Sequence, residues 1–263
     1  SYGIFGGPSN ASAQTDAFSR PFYKTINRFS ANFALTADLC LGLLAGDIKR
    51  KEMLSGRLAD IHSHLFIATA ILKFYEKGQR SEVEQQHAQL ALEKAFVQIQ
   101  DAFDGLFANF PMRAAACVVK FICFPFGRVA QQPSDQLKTQ LGRVIMENNP
   151  FREQLKQHVF YNTDPNDVFG RMENAFQAAL KIDPLWTKFK KAEAKGQFEG
   201  LDFESHIQHA LETGFINPEE ADQLIHYNAQ RFDSMLTDIF DHELEQTLDL
   251  KNPYHTKASD IQP

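Results

Sequence analysis

The sequence predicts an all-α protein, an antiparallel bundle of long helices followed by shorter, less regular ones. Three observations predict it. Apolar residues recur every three or four positions along three successive stretches of about 25–30 residues. The breaks between these stretches are only a few residues long, so neighbouring helices must run antiparallel. No stretch alternates apolar and polar residues as a half-buried strand would.

Residues 1–21 read as a linker, because Ser1-Tyr2-Gly3-Ile4-Phe5-Gly6-Gly7-Pro8 and the polar residues after it carry no apolar period. A first helix is expected over 22–45, with Phe22, Ile26, Phe29, Phe33, Ala37, Cys40 and Leu44 on one face. Gly46 ends it and Asp47 can cap the next. That second helix is expected over 48–77, through Leu54, Leu58, Ile61, Leu65, Ala68, Leu72 and Tyr75, with Gly78 as its stop. A third covers about 82–110 on Leu92, Phe96, Ile99, Phe103, Leu106 and Phe110. Pro111 then opens a short, very apolar segment, Ala114–Phe124, closed by Pro125 and Gly127.

The remainder is more broken. A short helix is expected after Pro133-Ser134-Asp135, and another from Asp164-Pro165-Asn166-Asp167 to about Ile182, with Phe169, Met172, Phe176 and Ala179 inward. Asp183-Pro184 is read as the start of a separate lysine-rich helix. Asn217 and Pro218 fit the cap and first position of a last helix burying Ile225, Ala229, Phe232, Leu236 and Ile239. These elements divide the chain into a linker (1–21), a long-helix bundle (22–130), a shorter-helix part packed on it (131–249) and a polar tail (250–263).

Composition narrows the function. Hydrophobic residues make up 43 % of the 263 and charged residues 23 %, ordinary for a soluble globular protein. Phe stands out, with 24 against one Trp and six Tyr. It brings apolar area without a polar tip, which suits helix packing and hidden interfaces more than a catalytic pocket. The net charge of -6 is uneven. Residues 1–150 hold 16 Lys and Arg against 13 Asp and Glu, +3, and the rest hold 11 against 20, -9. No overall basic field argues for nucleic acid. Cys40, Cys117 and Cys123 sit in apolar helical stretches and read as buried free thiols of a reducing compartment. No uncharged apolar run reaches the ~18 residues of a membrane-spanning helix.

No catalytic or cofactor motif is present. There is no Gly-x-Gly-x-x-Gly, no Gly-x-Ser-x-Gly elbow, no His-Glu-x-x-His and no paired Cys spacing. Asp60 and His64 share a helix face while His62 points elsewhere, so at most two metal ligands converge. The acidic run Asp238, Asp241, Glu243 and Glu245 lacks the spacing of a calcium loop and reads as a solvated helix end.

Two features invite a partner. Lys49-Arg50-Lys51 places three cations at the start of the second helix, against the helix dipole. They read either as a solvated run offset by Asp47 and Glu52 or as a contact for an acidic or phosphate-bearing surface. Arg113, Lys120 and Arg128 flank Phe121 and Phe124. That pattern is either a core helix or one lying on a membrane, with cations at headgroup level and Phe below.

The run from Pro21 to Arg80 resembles the start of the C-terminal domain of bacterial-type acyl-coenzyme A dehydrogenases. The blocks that carry the likeness are Asn27–Ala31, Gly46–Glu52 and Ser55–Asp60. Further blocks follow in order: Asn109–Pro111, Phe124–Arg128, Pro133–Asp135 and Ala210–Leu224. The likeness spans roughly residues 20–245. It implies a parent enzyme of fatty-acid β-oxidation that converts long-chain acyl-coenzyme A to the trans-2-enoyl form. In that chemistry a glutamate takes the α-proton and flavin adenine dinucleotide (FAD) takes the β-hydride. Both belong to a dehydrogenase body that precedes this domain, so no catalytic, cofactor-binding or metal residue is carried onto this chain. The expected partners are that body and further copies of the protein, with peripheral contact to the inner face of the cytoplasmic membrane and a cytoplasmic location. The alternative is a stand-alone helical module that binds acyl chains or a protein partner.

Overall fold

The computed structural model describes residues 15–236, which form nine α-helices and no strand. The chain divides into two compact units, at Leu155 and Lys156. In the first, helix α1 (Ser19–Leu44) leads through a 3-10 turn (Ala45–Arg50) to α2 (Glu52–Lys77), and α3 (Glu82–Asn109) follows. Helices α4 (Arg113–Cys123) and α5 (Asp135–Ile145) pack on α3, and α6 (Pro150–Lys156) comes last.

The long helices bury the stripes their spacing predicts. Phe29, Ile61, Leu72, Leu92, Ile99, Phe103 and Leu106 are fully enclosed in one core. Each such side chain contributes ~1.5–3 kcal/mol when withdrawn from water. Antiparallel order shows in long-range bonds. Tyr23 near the start of α1 donates to Glu76 near the end of α2 at 3.0 Å, and Arg57 of α2 lies against Gly105 of α3. Three buried polar groups tie the bundle together. Asn32 Nδ2 donates to the Cys123 carbonyl (3.1 Å), and Thr36 donates to the Asn32 carbonyl (2.7 Å). The Val129 N–H donates to Gln100 Oε1 (3.1 Å), pinning the segment after α4 onto α3.

Several boundaries differ from the expectation. Helix α1 reaches back to Ser19, whose N–H donates to Asp16 at 2.8 Å, and Phe18 packs edge-on against Tyr75. Helix α2 begins at Glu52 rather than 48, and Asp47 caps nothing: it lies in the 3-10 turn, and the N-cap is Lys51, with no side-chain bond. The turn before α3 is better made. Ser81 and Glu84 form a reciprocal capping box, and the Gln79 N–H also donates to Glu84 (3.2 Å).

The second unit is built on α7 (Val168–Ala194), α8 (Phe203–Glu212) and α9 (Pro218–Met235). Asp167 caps α7, and Asn217 forms a capping box with Glu220 on α9. Gly214, at φ +69°, supplies the left-handed step between α8 and α9. Helix α7 runs unbroken through Pro184, where a new helix was expected. Ile182 and Phe189 on either side of the proline enter the same core, and that shared burial keeps the helix continuous.

The buried face of this unit also departs from the expectation. Phe169 and Met172 are exposed, as are Ile225, Ala229, Phe232 and Leu236. Ala221 and Leu224 are the buried residues of α9. The expected inward Ile239, the acidic run 238–245 and the tail 250–263 lie outside the described residues.

Candidate functional site

The residues singled out in the sequence separate into two groups. Lys49 and Arg50 are exposed on the 3-10 turn and Lys51 is half-buried. Arg50 and Lys51 line a hollow of about 430 Å³ with Arg57, Met53, Asn109 and Pro111, where the turn before α2 meets the end of α3. Arg113 stands just beyond. Its guanidinium donates to the carbonyls of Phe107 and Ala108, closing the C-terminus of α3. Cations and exposed Met53 therefore meet at one end of the bundle.

Lys120 and Arg128 belong elsewhere. Arg128 bridges Asp101 and Asp104 of α3 at 2.6 Å each, and Lys120 lies 3.5 Å from Asp104. Hydrogen bonds and charge from Asp101, with Asp104, raise the Arg128 pKa above its ordinary value. Lys120 thus ties α4 to α3, and Arg128 ties the segment after α4 to it.

The two phenylalanines part company. Phe121 is 70 % exposed, whereas Phe124 is 5 % exposed and packs among Phe29, Phe103 and Phe107. Of the two readings, Phe124 follows the core helix and shares no outer face with Phe121. Helix α4 ends at Cys123, and the chain turns at Phe124 into the core. What α4 presents outward is Val118, Phe121 and Ile122, with Phe126 beyond its end.

The thiols also divide. Cys40 and Cys123 are buried, and burial raises both to about 11, so neither is reactive near neutrality. Cys117 is exposed on α4, contrary to the expectation of three buried thiols. The helix winds it onto the outer face, one turn before Phe121. Asp60 is exposed, His64 is half-buried and His62 stands by the Phe33 ring (5.9 Å). Among the described residues no group of three or more His, Cys, Asp or Glu is placed to hold a metal.

Three features escaped the sequence reading. A groove between α2, α3 and α6 is lined by Ala70, Phe74, His87, Ala91 and Phe151. Its sequence signal is the small residues Ala70, Ala88 and Ala91 on facing helices. In the second unit, His206 places Nδ1 3.0 Å from Glu193 and Nε2 3.2 Å from the Gly200 carbonyl. Burial alone would raise the Glu193 pKa, but bonds and charge from Lys190 and His206 outweigh it and leave the carboxyl below its usual value. Finally, Ser19–Arg50 contains an 18-residue stretch apolar enough to cross a membrane, at a mean hydropathy of 1.4. Its Ile26, Phe29, Thr36 and Cys40 face is committed to the bundle core.

An all-α bundle that offers apolar and basic surface defines a helical domain. The chain belongs to the family of bacterial-type acyl-CoA dehydrogenase C-terminal domains, whose profile matches residues 2–240. Its role therefore lies with that enzyme family. No solved structure matches the chain.

Proposed function

We propose that this chain is the docking and oligomerisation domain of an FAD-dependent dehydrogenase that oxidises long-chain acyl-coenzyme A to trans-2-enoyl-coenzyme A. The observation that carries the reading is the family match over residues 2–240. The flavin and the catalytic glutamate are assigned to the dehydrogenase body, and this chain supplies surface. The outward side of α4, with Val118, Phe121 and Ile122, is the docking face, since adjacent exposed apolar side chains mark interaction sites. The cationic end with Lys49, Arg50 and Arg113 lies towards acidic groups, on the body or on the inner face of the cytoplasmic membrane.

Fractionating source cells tests this. An antibody to the chain should detect it at a mass well above 29.9 kDa, co-eluting with flavin-dependent oxidation of palmitoyl-coenzyme A. Depleting the antigen while all of that activity stays in the supernatant refutes the proposal.

A further inference from the structure

The groove between α2, α3 and α6 differs in kind from the other hollows of the first unit. It encloses about 470 Å³, within the ~300–1,000 Å³ typical of small-molecule sites. Ala70, Ile71 and Phe74 form one wall, Ala88 and Ala91 the opposite wall, and Phe151 and Leu155 of α6 close one end. The polar side chains around it are nearly all engaged. Both oxygens of Glu84 accept from the turn before α3. The Tyr75 hydroxyl donates to Asp16 at 3.1 Å. His87 Nδ1 lies 2.8 Å from the Val83 carbonyl.

His87 is the exception, through its other nitrogen. Because Nδ1 faces a carbonyl, it must carry the hydrogen, and the neutral ring then presents a lone pair at Nε2. The ring is held against Phe151, with centroids 4.7 Å apart. The groove thus offers apolar walls and one hydrogen-bond acceptor. A hydroxyl suits that acceptor. A carboxylate does not, since it brings only acceptors and would meet the negative charge of Glu84 in the same wall.

The groove's volume and its single acceptor match a small molecule that carries one hydroxyl. We propose that it is a binding site for a single unbranched hydrocarbon chain ending in a hydroxyl, with the hydroxyl donating to His87 Nε2. This holds whichever larger protein the chain serves.

Equilibrium dialysis of the full chain against radiolabelled 1-dodecanol and dodecanoate tests it, at about pH 8. One equivalent of 1-dodecanol should bind saturably, with dodecanoate about tenfold weaker. Ala70→Trp fills the groove from an exposed helix position and should abolish binding. His87→Ala should weaken it about tenfold. Circular dichroism and unreactive Cys40 and Cys123 establish that each variant is folded. Absence of saturable binding, an Ala70→Trp variant that binds like the parent, or dodecanoate binding as well as the alcohol would each overturn the proposal.

Discussion

Phe121 and Phe124 stand three residues apart in the sequence and in opposite surroundings. Truncating Phe124 empties a site among three other rings, and Phe124→Ala should cost about 3–5 kcal/mol of stability. Phe121→Ala removes a side chain that is 70 % exposed and should stay within about 0.5 kcal/mol. Urea unfolding of the two variants measures the difference, and equal losses would contradict the placement. The sequence located both residues in one apolar run but could not separate them. Where the helix ends decides which way each ring points, and that end is fixed by the buried Asn32 side chain, 91 positions away, which binds the Cys123 carbonyl. The same limit applies to Lys120 and Arg128. Their partners Asp101 and Asp104 lie on another helix, so the sequence pattern alone could not show that both cations are engaged in ion pairs at the bundle surface.

At the scale of the element, spacing and caps were informative where one face dominates. The stripes of α1, α2 and α3 are buried as expected, and Asn217-Pro218 starts α9 where its chemistry says it should. Helix α9 shows where this fails. It carries apolar residues on two sides, Ala221 and Leu224 on one and Ile225 and Phe232 on another. Periodicity finds both stripes and cannot rank them, and the larger residues are the ones left outside. Helix α7 shows a second failure. A proline normally ends or bends a helix because it lacks the N–H and crowds the preceding turn, yet here Ile182 and Phe189 both reach the core across it. Pro184→Ala restores that N–H in a helix already formed, and should stabilise the second unit by about 1–3 kcal/mol. Thermal unfolding followed by Trp186 fluorescence should show a higher midpoint, and a lower one would mean that the proline fits this helix without strain.

Across the whole molecule, each unit has its own hydrophobic core. Each also has its own natural probe. The single Trp, Trp186, packs between Phe203 and Tyr227 in the second unit, while all three thiols lie in the first. Phe189→Ala should therefore shift the urea midpoint of Trp186 fluorescence by the ~3–5 kcal/mol of a lost core ring, and leave labelling of Cys40 and Cys123 where it was. Shifts of equal size in both probes would show that the units unfold as one. This division was only partly legible. The long helices and the shorter ones differ in pattern, but α5 packs on α3, a pairing that depends on contacts between residues distant in sequence. Cys117, exposed beside Val118 and within one turn of Phe121, has a further use. It is the one accessible thiol among the described residues, and any partner seated on that side of α4 must shield it. The speed with which a maleimide consumes it thus turns the protein into its own occupancy gauge, readable in a crude extract without purifying whatever is bound.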